Sequence, residues 1–183
     1  MLWSDHGWHL GEKEITGKNS LWEPATRVPL IFAGPNIPQL SEVKYPAELL
    51  DLYPTLIELC GLTPNPDLEG VSLMPQIQNR HAIRERPAIT THNPGNHSIR
   101  TEDWRLIVYA DGSEELYDMG VDPDELVNRV QFSQYDRQRE EMRQWLPKIN
   151  APHAPGSQHR VLWKEGDDWI WEGKKINPAE RIR

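Results

Sequence analysis

Asp5 and His6 stand side by side in the run Ser4-Asp5-His6-Gly7-Trp8-His9-Leu10-Gly11-Glu12, followed by Lys13 and Lys18. Carboxylate and imidazole are both good ligands for a divalent cation, and neighbours in one tight turn can aim at the same ion. Gly7 and Gly11 permit close backbone approach or φ > 0. Lys18, about a dozen residues on, can return to the same place and bind an anion as a point charge. Taken alone, the pair fits equally well a helix-capping Asp5 beside histidines that pack or face solvent. A second polar cluster is His92-Asn93-Pro94-Gly95-Asn96-His97. It falls in a loop between two expected strands, where binding residues are common, although an ordinary hairpin loop accounts for it too.

The elements that must position these residues follow from apolar spacing. Met1-Leu2-Trp3 leads directly into the Asp5 turn, which places that turn at the end of a strand, where α/β folds bind ligands. So short a strand reads as one joined in mid-domain. Arg27 to Ala33, closed by Gly34-Pro35, reads as a buried strand with Pro29 near its start. Leu49, Leu52, Leu56, Ile57, Leu59 and Cys60 recur at three- and four-residue spacing, which predicts a helix over 47–62 ended by Gly61. Pro54 kinks that helix or marks its true beginning, and Cys60 is expected in the core.

From Ala88 to Tyr117 the chain breaks into short β-branched and aromatic runs separated by Pro94-Gly95, Glu102-Asp103 and Asp111-Gly112. That is a small antiparallel sheet. Arg100 and Arg105, on its strands, are expected to pair with nearby acids. An acidic connector over 118–128 leads to a polar helix over 133–148, with Ser133 as N-cap and Met142, Trp145 and Leu146 on its apolar side. The tail, with Trp163, Trp169 and Trp171, reads as strand or extended chain. Three segments result: 1–86, 87–149 and 150–183.

The chain has 183 residues and a net charge of −8, which excludes nucleic-acid binding through a basic surface. No run approaches the roughly 20 apolar residues of a membrane span. A single cysteine excludes an internal disulfide and a multi-cysteine zinc site. The aromatics are mostly Trp and Tyr, 8 and 5 against 2 Phe, which suits a wet carbohydrate-like cleft as well as a polar core.

The run from Ser4 to Glu12, then Lys18, then Leu21-Trp22-Glu23-Pro24-Ala25-Thr26-Arg27-Val28-Pro29-Leu30, resembles the second half of the sulfatases of the alkaline phosphatase superfamily, in particular the iduronate sulfatase-like branch. The resemblance continues through Asp51 to Leu62, Glu69 to Leu73, Arg100 to Ile107, Tyr109 to Asp118 and Asp122-Pro123. It implies an α/β fold: the end of a sulfatase catalytic domain followed by a subdomain with a small antiparallel sheet and a helix. It implies that Asp5 and His6 bind an active-site Ca²⁺, that Lys18 contacts the sulfate as a catalytic and substrate-binding residue, and that His92 lies near a sulfated sugar substrate. His9 is either a substrate contact or a support for the site, and Glu12 is structural.

The family's nucleophile is a formylglycine made from cysteine, or a serine, in a Cys- or Ser-x-Pro-x-Arg context. Cys60 is followed by Gly61-Leu62-Thr63-Pro64, and neither version of the motif occurs in the sequence. The resemblance therefore implies a C-terminal portion of a sulfatase that is catalytically incomplete alone. Two other readings share the same residues: a phosphodiesterase or phosphonate hydrolase of the superfamily, and a non-catalytic subunit docking on a separate N-terminal half. The resemblance also suggests an exported, periplasmic or lysosomal setting.

Overall fold

A computed structural model describes residues 1–39, 41–152, 162–171 and 174–176. The chain divides into two compact units, Met1–Lys148 and Ile149–Arg183. In the first, β1 (Leu2–Trp3) precedes a hairpin of β2 (His9–Leu10) and β3 (Thr16–Gly17). Helix α1 (Glu23–Thr26) follows, with Pro24 in its first turn, where no helical hydrogen bond needs its missing N–H. Strand β4 (Leu30–Ile31) then returns antiparallel to β1, with Leu2 opposite Ile31 and Trp3 opposite Leu30. The run expected as a buried strand over 27–33 is thus shorter, starting directly after Pro29. Ile31 is exposed and Leu30 half-buried, so only one face of this short pair is covered.

The helix expected over 47–62 is α2 (Leu52–Leu59), entered through a 3-10 turn over Leu49–Asp51. Pro54 lies in its first turn, so the helix begins beside the proline. Gly61, at φ 62°, closes it as expected: its N–H donates to the Glu58 carbonyl and that of Leu62 to Ile57. The buried face differs from the leucine stripe. Asp51, Leu52, Thr55 and Ile57 point inward, while Leu49, Tyr53 and Cys60 are exposed. The reason is polar. The carboxylate of Asp51 accepts from the backbone of Val71 at 2.8 Å and the hydroxyl of Thr55 from that of Leu73 at 2.9 Å, which rotates Cys60 out to solvent. Gly70 permits this docking: a Cβ there would stand 2.0 Å from the Leu50 carbonyl oxygen.

After α3 (Met74–Gln78) come β5 (Ala88–Thr91), β6 (His97–Arg100), β7 (Trp104–Val108) and β8 (Glu114–Asp118), a four-stranded antiparallel meander at the expected positions. Register aligns Ile89, Ile99, Leu106 and Leu116 in one row across the sheet. Met142 of α4 (Asp136–Arg143) covers that row, with Tyr135 and Leu146 beside it. α4 is shorter than its apolar pattern suggests, and Ser133 opens a preceding 3-10 turn instead of capping it. Asp136 instead supplies the negative charge of its first turn. In the second unit β9 (Leu162–Glu165), β10 (Asp168–Trp171) and β11 (Lys174–Lys175) form an antiparallel meander.

The opposite face of the large sheet carries Ile107 and Tyr117, packed on Leu21 and Trp22, and a buried charge cluster. Arg105, 2% exposed, is ion-paired to Glu23 and, at 2.6 Å, to Glu125, and it donates to Ser98 Oγ and to the Leu21 carbonyl. Arg100 also reaches Glu23, at 3.2 Å, so both arginines pair with an acid, but one that lies 77 and 82 residues away in sequence instead of nearby. Burial alone would raise the Glu23 carboxyl, but the Arg105 and Arg100 guanidiniums outweigh it and hold the group below its ordinary range.

Removing Arg105 leaves the fully buried Glu125 carboxylate without its guanidinium and takes from Glu23 one of its two close arginine partners. Arg105→Ala is therefore expected to destabilise the chain by about 3–5 kcal/mol, read from the urea midpoint. The depressed Glu23 carboxyl contributes stability that is present above its ordinary value of 4.5 and lost as pH falls through its folded value. The stability gap between wild type and Glu23→Gln should therefore narrow on acidification, as followed by urea unfolding at a series of pH values.

Candidate functional site

The Asp5-His6-Gly7 turn is pinned from below. Gly7 donates its N–H to the Ala25 carbonyl at 2.8 Å, and a Cβ on Gly7 would come within 2.0 Å of the Pro24 carbonyl oxygen. Only glycine lets the turn lie this close to α1. The Ser4 hydroxyl donates to the His6 carbonyl at 3.0 Å, bracing the turn from the other side.

His6 Nδ1 lies 2.8 Å from the Gly7 carbonyl oxygen. A carbonyl can only accept, so the proton is on Nδ1 and the Nε2 lone pair is free to face outward. Asp5 Oδ2 is 3.7 Å from that Nε2, and the Lys18 ammonium donates to it at 2.7 Å. Three of the four residues expected in the site, Asp5, His6 and Lys18, are thus brought together. The Asp5 side chain is 73% exposed and that of His6 34%.

Lys18 arrives there because the β2–β3 hairpin folds the chain back. His9 pairs with Gly17 across the hairpin and Leu10 with Thr16. Its tip is tight, with Gly11, Lys13 and Glu14 all at positive φ. The Glu12 carboxylate accepts from its own N–H and from the Leu10 N–H, the latter at 2.6 Å, and these backbone hydrogen bonds hold it below the usual range, a structural role. Lys13 leaves the tip to donate to the Glu125 carbonyl, and its ammonium lies over the Trp22 and Tyr117 rings at 5.2 and 4.7 Å.

His9 is fully buried. Its Nδ1 is 3.1 Å from the Glu12 carbonyl, its Nε2 is 2.7 Å from Ser20 Oγ, and its ring meets Trp22 edge-on at 6.1 Å. That leaves no surface for a substrate and makes it a support. The sequence names Lys13 beside the polar run but not its contact with Glu125, which spans 112 residues and which no local pattern announces.

His92, half-buried, stands in the loop between β5 and β6. Its N–H donates to the Asn96 carbonyl at 3.0 Å, and Asn96 Oδ1 accepts from the Ala110 N–H at 3.1 Å. These contacts shape the loop; none of them joins His92 to the Asp5-His6-Lys18 group. Among the described residues no cluster of three or more His, Cys, Asp or Glu side chains could hold a metal ion. Asp5 and His6 do fit one edge of such a site: a carboxylate and an imidazole lone pair face the same space. Two donors fall short of the 6–8 that Ca²⁺ takes. No described helix is long and apolar enough to cross a membrane.

Residues 11–151 match the family described as N-sulphoglucosamine sulphohydrolase, C-terminal. A sulfatase of Formosa agariphila is 42% identical over 82% of this chain and 30% of its own length. Arylsulfatase K of Homo sapiens is 30% identical over 88% of this chain and 34% of its own. Among solved structures, a 2-O GAG sulfatase superposes with a TM-score of 0.66 at 29% identity, over 78% of this chain and 34% of that one. A phosphonate monoester hydrolase of Agrobacterium radiobacter gives 0.65 at 23% identity, which speaks for the fold alone. The chain spans about a third of the length of the curated relatives it matches. It belongs to the N-sulphoglucosamine sulphohydrolase C-terminal family, among the sulfatases of the alkaline phosphatase superfamily.

Proposed function

We propose that this chain supplies one wall of a sulfatase active site, in a protein that hydrolyses a sulfate ester on a sulfated sugar. The observation that carries the reading is the convergence of Asp5, His6 and Lys18 on one exposed turn, in a member of this family. The relatives support the substrate class. One solved sulfatase, 26% identical over 78% of this chain with a TM-score of 0.62, is described in complex with its substrate D-glucosamine-2-N,6-O-disulfate; another is described as a 2-O GAG sulfatase.

Asp5 and His6 would hold a Ca²⁺ ion through a carboxylate oxygen and the Nε2 lone pair. When bound, the ion supplies positive charge that stabilises sulfuryl oxygens as the ester bond breaks. Lys18 binds and orients the sulfate and offsets charge developing on it. One lone pair cannot serve two partners, so with His6 Nε2 given over to metal binding the Lys18 ammonium would be free to turn to the sulfate. The Gly7–Ala25 contact holds the turn in place against α1. His92 belongs to the sugar-facing side in this reading. The nucleophile comes from outside these residues, since no Cys- or Ser-x-Pro-x-Arg sequence is among them.

The test is a chimaera in which this chain replaces the matching third of the Formosa agariphila sulfatase, assayed for release of inorganic sulfate from sulfated saccharides. Sulfate release, loss on chelation and recovery with Ca²⁺ are expected. Lys18→Ala should lower kcat/KM about 10²–10³-fold, the usual cost of removing one preorganised group that stabilises charge. Gly7→Ala should impair it as well, by forcing the turn off α1. A folded chimaera that cleaves a phosphonate monoester in preference to sulfate esters would transfer the site to the phosphonate hydrolases. Full activity without Lys18 would remove that residue from the mechanism.

A further inference from the structure

Lys18 has four rotatable side-chain bonds, and the contact with His6 closes a span of 12 residues, so something must hold its backbone in place. The flanks of Lys18 both lead to one residue. On the N-terminal side Gly17 is the cross-strand partner of His9 in the β2–β3 hairpin. On the C-terminal side Ser20 donates its N–H to the Lys18 carbonyl at 2.9 Å, making Lys18-Asn19-Ser20 a tight turn, and its hydroxyl meets His9 Nε2 at 2.7 Å. The other ring nitrogen is 3.1 Å from the Glu12 carbonyl, which can only accept. His9 is therefore an Nδ1–H tautomer that accepts from the Ser20 hydroxyl, with a proton available for each bond. The ring is completely buried and braced edge-on by Trp22, so its orientation is held by packing as well as by the two bonds.

We propose that His9 is a positioning residue for the sulfate-binding lysine: through Gly17 on one side and Ser20 on the other it fixes the backbone of Lys18, so that the ammonium is presented to His6 and the sulfate. The inference rests on the reading of Asp5, His6 and Lys18 as a sulfatase site. It goes beyond that reading by giving a buried histidine, remote from solvent, a share in sulfate recognition. His9 touches neither sulfate nor metal in this account and acts only through Lys18.

The experiment uses the 183-residue chain labelled with ¹⁵N at histidine and reads the His6 Nε2 resonance, which shifts when an acceptor nitrogen loses its donor. Lys18→Ala defines the full shift. Ser20→Ala and His9→Ala are expected to produce most of that shift, and Ser20→Thr, which keeps the hydroxyl, to leave the wild-type position. Ser20→Ala removes a single hydroxyl and guards against the case in which His9→Ala fails to fold. In the chimaera Ser20→Ala should lower kcat/KM for sulfate release about 10–100-fold, the scale of a misplaced binding group, with Ser20→Thr restoring it.

If Lys18→Ala moves the His6 resonance and neither Ser20→Ala nor His9→Ala does, the positioning role is overturned while the site stands. If Lys18→Ala leaves the resonance unmoved, the Lys18–His6 pairing itself is wrong and the inference falls with it. A chimaera that releases no sulfate, beside a chain in which Ser20→Ala shifts His6, keeps the His9 arrangement and refutes the sulfatase reading.

Discussion

A guanidinium buried between two carboxylates is the constraint on which the rest of the first unit leans. Arg105 is 2% exposed, and a charge so placed cannot be left without partners. Glu23 and Glu125 therefore have to be where they are. Glu23 sits on α1, and the same four-residue helix offers the Pro24 and Ala25 carbonyls against which Gly7 is pinned. Glu125 accepts Lys13 on its carbonyl, which ties down the tip of the hairpin carrying Lys18. The turn with Asp5 and His6 and the excursion with Lys18 are thus both referenced to one ion cluster on the back of the four-stranded sheet.

The two acids are not equivalent. Glu23 faces two guanidiniums and keeps some exposure, and its carboxyl is held low. Glu125 is fully buried, and burial pushes its carboxyl up more than Arg105, the Glu23 N–H and Lys13 pull it down; the Glu23 charge adds to the rise. Its backbone is also at φ 56°, a conformation that side-chain-bearing residues rarely hold unless surrounding contacts impose it. A residue unfavourable both in dihedral and in charge is tolerated here because it closes three connections at once: to Arg105 by its carboxylate, to the Glu23 N–H by the same group, and to Lys13 by its carbonyl.

What could be read from the sequence was what neighbours decide. The β-branched runs between Gly- and Asp-rich turns placed all four strands of the sheet, and Gly61 marked a helix end that the structure closes with two carbonyl bonds. The Asp-His-Gly turn and Lys18 were legible as a group because their spacing is local and their pattern resembles a family. The misses share a cause. Cys60 was assigned to the core from an apolar stripe, but the rotation of α2 is set by Asp51 and Thr55 reaching segments about 20 residues away. Ser133 had the residue type of a cap without the geometry. Lys13 and Glu125 meet across 112 residues, and Glu23 meets Arg105 across 82, so nothing in either neighbourhood points to the other.

The same division of range explains how the candidate site holds its shape. Its internal contacts, His6 to Gly7, His6 to Lys18, His9 to Glu12 and Ser20, all lie within 12 residues. Local closures of that length lose little chain entropy on forming, so the turn and hairpin can keep their geometry as a module. Orientation of the module comes from Gly7 on α1 and Lys13 on Glu125, that is, from the buried charges. His6, held by the Gly7 carbonyl and by Lys18, would lose little freedom on binding a ligand, and stiffness of this kind strengthens binding without adding a contact. In the proposed reading, Asp5 and the His6 lone pair would supply only one edge of a coordination shell. The value of that edge lies in its fixed direction, which the ion cluster behind the sheet secures.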